Sequence, residues 1–110
     1  MATVPGHIKL IDVAGWSSLL FKCGDLPADV AVLAAGHVPN GYFWEGVLQY
    51  LAGGLLTQVE LDPEAGMFCV RGDRTVLGRL REELEEYLDD PERIASLITE
   101  AESSGFQFDD

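Results

Sequence analysis

Basic residues are scarce in this chain. Of its 110 residues only seven are Lys or Arg, against nineteen Asp or Glu, which gives a formal net charge of −12. That balance argues against nucleic acid or an anionic membrane as a partner, because both are polyanions. Histidine and cysteine are as sparse, two of each. His7 and His37 are far apart, with no neighbouring ligand or nucleophile, so no His-based metal site or nucleophile–His pair can be read. Cys23 and Cys69 have neither metal-ligand spacing nor an adjacent histidine. In apolar, strand-like surroundings each reads as a buried free thiol, a small hydrophobe. No apolar run approaches the roughly 20 residues that cross a bilayer. The first 20 residues also lack a basic segment followed by a clean apolar one. The expectation is a cytoplasmic protein. Missing as well are a phosphate-binding glycine loop and the HExxH, CxxC and GxSxG patterns. No cofactor, no metal and no enzymatic activity are therefore expected.

What is present is enough for one domain spanning 1–110. A chain of this length buries roughly 65% of its unfolded surface, and 47% of its residues are hydrophobic. The acidity is unevenly spread. Residues 1–50 hold four acidic and two basic side chains, while residues 51–110 hold fifteen acidic and five basic ones. Such a surplus either maintains solubility or steers a basic partner towards the protein.

Periodicity divides the chain into eight elements. Ile8–Val13 and Ser17–Lys22 read as a hairpin bent at Ala14-Gly15. Asp25-Leu26-Pro27 opens a helix to about Ala35, with Asp25 as its cap and Gly36 as its stop. Because this stretch is apolar nearly all round, a buried strand remains an alternative. A helix over Tyr42–Ala52 follows, ended by Gly53-Gly54. A second hairpin runs through Thr57–Asp62 and Met67–Arg71, with Val59 and Leu61 alternating against Gln58 and Glu60. Asp73 caps a helix whose Leu77, Leu80, Leu84, Tyr87 and Leu88 form one stripe. Asp90-Pro91 starts the last helix and Gly105 ends it. The order β-β-α-α-β-β-α-α predicts an α+β domain, an antiparallel sheet with helices packed mainly on one face. Ile11-Asp12-Val13-Ala14-Gly15 parallels Leu61 to Gly66, and Gly24-Asp25 parallels Gly72-Asp73, which hints at two ββαα units sharing one sheet. Arg71-Gly72-Asp73 spells an adhesion tripeptide, but at a strand-to-helix junction it reads as a bend and a cap.

The densest segment is His37-Val-Pro-Asn-Gly-Tyr-Phe-Trp-Glu-Gly-Val47. Pro39-Asn40-Gly41 is a turn signal, and Asn40 suits an N-cap. Trp44, Val47, Leu48 and Leu51 recur at helical spacing as an inward face, while Tyr42, Glu45 and Gln49 share another. That second face is either a recognition surface or, for Glu45, a solvated charge that suits the helix dipole. His37 beside the turn reads as a structural hydrogen-bonding group. Trp16, beside the first bend, is open to a core or a surface role.

These residues resemble the signature of an immunity-protein family of bacterial polymorphic toxin systems. The similarity rests on His37, Asn40-Gly41-Tyr42, Trp44-Glu45-Gly46-Val47 and Tyr50-Leu51, a GY-x-WEG-type pattern. Asp62-Pro63-Glu64-Ala65-Gly66-Met67-Phe68 is similar to the family's DPE-x-x-M-F hairpin, and Phe108-Asp109-Asp110 to its acidic ending. The resemblance implies a protein that binds and neutralises a cognate toxin domain, a nuclease among the candidates, without chemistry of its own. The expected contact residues are Tyr42, Glu45, Gln49, Glu64, Asp109 and Asp110, with the oligomeric state left open. A small regulatory or ligand-binding module with a pocket near Tyr42, Trp44 and His37 is the alternative. A carboxylate hydrolase using Glu45 with Glu64 or Asp62 comes third, since nothing in the sequence fixes their separation.

Overall fold

The computed structural model describes residues 7–108. Its elements follow the expected order: β1 (Lys9–Val13), β2 (Trp16–Lys22), α1 (Asp29–Ala34), α2 (Gly41–Leu56), β3 (Val59–Leu61), β4 (Met67–Gly72), α3 (Arg74–Leu88) and α4 (Pro91–Ser103). The protein is an α+β domain with one four-stranded antiparallel sheet of order β1-β2-β4-β3. The two hairpins lie side by side and are joined through their second strands. The helical parts of the two halves differ, however, because α1 has 6 residues and α3 has 15.

Local chemistry explains most boundaries. Ala14 and Gly15 both have positive φ, 50° and 86°, the left-handed pair of a two-residue hairpin whose twist matches its strands. Asn40, Asp73 and Asp90 each accept a backbone amide from the first turn of α2, α3 and α4, satisfying donors that a helix start leaves over. Gly36 and Gly105 follow α1 and α4 with φ of 85° and 93°, where a side chain would be strained.

Two boundaries differ from the sequence expectation. Asp25 does not cap α1. It lies exposed, 3.6 Å from Lys22 Nζ, and α1 starts later, after Ala28, without a side-chain cap. Asp29 reaches back instead, its Oδ2 accepting the Leu26 amide at 3.3 Å. In α2 the Gly53-Gly54 signal marks a break rather than an end. Ala52 leaves helical geometry (φ −146°, ψ 39°) and the helix resumes to Leu56.

Side chains alternate across each strand, and the two sheet faces meet different surroundings. Leu19, Phe21, Phe68 and Val70 are fully buried on one face, where α2 and α3 lie against the strands. Their partners are Trp44, Val47 and Leu48 from α2, and Leu77, Leu80 and Leu84 from α3. α4 packs on α1 and α3 and contributes Ile94, Leu97, Ile98 and Ala101. The other face carries no helix among the described residues. Trp16, Ile11 and Met67 stand exposed there, with Leu20 and Cys69 half-buried. Cys69 is thus on the uncovered face, whereas Cys23 is buried as expected. No helix among the described residues is long and apolar enough to cross a membrane.

Candidate interaction surface

Two segments distant in sequence meet the first two turns of α2. Asn40 Oδ1 accepts the Phe43 amide at 2.9 Å and fixes the helix start. The Gly41 amide, also among the first of the helix, donates to the Glu64 carbonyl at 3.0 Å, so the β3–β4 loop supplies the acceptor that the helix itself lacks. The approach is so close that a Cβ on Gly41 would sit 2.2 Å from the Glu64 carbonyl oxygen and 2.6 Å from that of Met67. At Gly46 a Cβ would lie 3.0 Å from Phe108 Cδ1. Glycine at 41 admits the Pro63–Gly66 loop, and glycine at 46 admits the C-terminal Phe108.

This convergence sorts the segment into fold-forming and outward residues. Phe43, Trp44, Val47 and Leu48 are fully buried. Trp44 meets Phe21 and Phe43 edge-on, at centroid separations of 5.9 and 5.2 Å, a favoured geometry for ring quadrupoles. Tyr42, 41% exposed, and Gln49 point outward, and Glu45 is half-buried between them on the same face. Glu64 is exposed in the loop that abuts Gly41. The structure therefore brings Tyr42, Glu45, Gln49 and the Glu64 loop to one side of α2. Asp109 and Asp110 lie outside the described residues; Phe108, which precedes them, rests on Gly46.

His37 fastens this region to α4. Its Nε2 lies 2.7 Å from Glu102 Oε2, and its ring is within 5.9 Å of Phe43 and 5.3 Å of Phe108. A groove of about 420 Å³ beside it is lined by His37, Glu102, Gly105, Phe106, Gln107 and Phe108. A turn further along, Phe106 packs on Tyr50. The Tyr50 hydroxyl donates to Glu100 Oε2 at 2.6 Å, and this bond to a carboxylate holds the phenol's pKa above its usual value. Rings and carboxylates from α2, α4 and the tail thus form one continuous wall.

The charge pattern follows from internal pairing. Arg71 contacts Glu60 and Asp62, Arg74 contacts Asp12, Arg81 contacts Glu85 and Arg93 contacts Glu86. Asp12, which also accepts the Ser17 hydroxyl, is held below the usual carboxylate range by Ser17 first and Arg74 second. With these guanidiniums engaged, the acidic surplus is left facing solvent. The thiols are poor nucleophiles. Burial, assisted by the charge of Asp29, pushes Cys23 up to about 11, and desolvation also raises Cys69. Both stay protonated near neutral pH, and the thiolate is the reactive form.

Trp16 is the residue whose role the sequence left open. The structure places it on the open sheet face, 62% exposed, beside a groove of about 410 Å³ shared with Glu60 and Arg71. The signal was available in the alternation of Trp16, Ser18, Leu20 and Lys22 against Ser17, Leu19 and Phe21. Which of the two sets stayed uncovered depended on contacts distant in sequence. Comparison of the chain with protein-family models, with curated proteins and with solved structures gives no match.

Proposed function

We propose that this protein binds and neutralises a cognate bacterial toxin domain, acting as an immunity protein without catalysis. The observation that carries the reading is the convergence at α2. The three segments that resemble the family's signature are separate in sequence, yet Gly41 meets Glu64 and Gly46 meets Phe108. Around those buried contacts, Tyr42, Glu45, Gln49 and Glu64 form a mixed aromatic and acidic surface. An exposed tyrosine gives an interface a large contact area at low entropy cost, and carboxylates around it favour a basic partner and speed its approach. A net charge of −12 suits a toxin with a positively charged groove, such as a nuclease. On this reading the protein works in the cytoplasm of the cell that makes the toxin.

Calorimetric titration against the C-terminal domain encoded immediately upstream, at low and moderate salt, tests the proposal. Tight binding of one toxin domain per chain that weakens as salt rises is expected. Glu45→Lys should weaken it at least tenfold, about 1.4 kcal/mol, with far-ultraviolet circular dichroism unchanged. Absence of binding, or unchanged affinity in both Glu45→Lys and Tyr42→Ala, would remove the basis for this surface.

A further inference from the structure

The uncovered face of the sheet has a composition unlike the rest of the molecule. Residues directly opposite one another on paired strands share a face, so the register can be read as rows. Lys9, Leu20 and Cys69 form one row, and Ile11, Ser18, Arg71 and Glu60 the next. Lys22 stands opposite Met67 at one end, and Trp16 lies towards the other. Both lysines of the protein are here. Arg71 contacts Glu60 and Asp62, and Asp25 stands at the rim beside Lys22. Local charge is therefore close to neutral on a chain of net charge −12. Trp16, Ile11 and Met67 are 62%, 42% and 38% exposed on it.

We propose that this face is the contact between two copies of the chain, packed sheet on sheet. Two molecules of net charge −12 repel, and they approach at least cost through a surface where positive and negative side chains balance. A twofold contact is self-complementary, so a single apolar patch with balanced charges serves both partners. Lys9 and Lys22 of one copy can then face Glu60 and Asp62 of the other around the Trp16 and Met67 side chains. A basic partner of the kind expected at α2 has no such match here, because it would meet both lysines. Area sets the strength. β1, β2 and β4 have five, seven and six residues, and at about 3.3 Å per residue and 4.8 Å between strands the face measures roughly 15 by 20 Å. Two such faces give roughly 600 Å² in total, well short of the about 1,200 Å² of a stable specific interface, which places the contact among weak, transient ones. The association is accordingly weak and concentration-dependent, not obligate.

Sedimentation equilibrium of the purified chain over a concentration series, at about 0.1 M and about 1 M NaCl, tests this inference. The expected result is a monomer–dimer equilibrium that tightens with salt, since shortening the Debye length from about 10 to about 3 Å screens the mutual repulsion. Binding of a steered, basic partner moves in the opposite direction with salt, so the two proposals fail separately. Trp16→Glu and, independently, Met67→Glu should each weaken the dimer at least tenfold, with far-ultraviolet circular dichroism unchanged. A monomer at every concentration up to the high micromolar range overturns the proposal. So does a dimer indifferent to both substitutions, or a monomer whose Trp16→Glu variant loses the toxin domain instead.

Discussion

The two faces of the sheet are written by alternate residues of the same strands, and they have opposite fates. In β2, Leu19 and Phe21 are sealed under α2 and α3, while Trp16 on the other side of the same strand stands in water. In β4, Phe68 and Val70 are sealed and Met67 is exposed. Hydrophobicity separates the faces only in part, since the open one carries Lys9, Lys22, Arg71 and Glu60 yet also Trp16, Ile11 and Met67. What completes the separation is whether a helix of the right length and face arrives from elsewhere in the chain. Burial is thus a property of the partner as much as of the residue, and the open face is unfinished in a way the covered face is not.

The largest expected effect contrasts the two tryptophans. Trp44 is fully enclosed by Phe21 and Phe43 and their neighbours, so Trp44→Ala should cost about 3–5 kcal/mol in urea unfolding. Trp16→Ala, at a concentration where the chain is monomeric, should stay within about 0.5 kcal/mol of the parent. Similar losses at both sites would erase the distinction between the faces. A normally stable Trp44→Ala variant would show that the inward face of α2 is misassigned.

A second effect, of middle size, tests how tightly the covered side is assembled. Gly41→Ala places a methyl group against backbone carbonyls rather than against a side chain that can rotate away. Overpacking of this kind costs about 1–3 kcal/mol, and the β3–β4 loop must move to relieve it. The variant should lose that much stability in chemical denaturation, and under the proposed function it should bind the toxin domain more weakly because Glu64 is displaced. A variant that keeps its full stability would mean that the loop yields without cost and that the contact does not fix the surface.

The sequence carried what depends on neighbours and lost what depends on distance. The caps at Asn40, Asp73 and Asp90 and the stripe of Leu77, Leu80, Leu84 and Leu88 were legible because each is settled within one or two helical turns. The strand alternation was legible for the same reason, and with it the order of elements. Gly41 could be read as a turn residue, but its need to be glycine comes from Glu64, 23 residues later. Gly46 likewise depends on Phe108. The stretch from Asp25 to Ala35 was ambiguous between helix and strand for a physical cause. Val30 and Leu33 face solvent while Ala28 and Val32 face the core, so its apolar residues lie on both sides and no amphipathic period survives. Of the proposed surface, the grouping of Tyr42, Glu45 and Gln49 was readable from spacing. The approach of the Glu64 loop to them was not.

Asp29 provides the smallest and most pH-specific test of the covered layer. It is a carboxylate in buried surroundings, with Oδ2 on the Leu26 amide and Oδ1 without a hydrogen-bond partner among the described residues. Burial raises its pKa above the ordinary 3.8, with Asp25 acting in the same sense and the Leu26 amide and His7 acting against it. A carboxyl whose folded pKa is raised favours folding most when it is protonated in both states, below pH 3.8. That contribution fades as pH rises through the folded-state value and is absent at neutrality. The substitution Asp29→Asn keeps a side-chain oxygen for the Leu26 amide and removes the group that ionises. The variant should therefore melt higher than the parent at about pH 7, with the difference shrinking as pH falls towards 3.8. An unpaired amide is cheaper to bury than an unpaired charge, and one acidic group fewer also eases the self-repulsion of an acidic chain. Those two causes separate by position. Asp25→Asn, at an exposed site that loses only charge and its contact with Lys22, should give little of the gain if burial dominates. Equal gains at both positions would assign the effect to net charge, and Asp29 would then weigh no more in the covered layer than an acid on the surface.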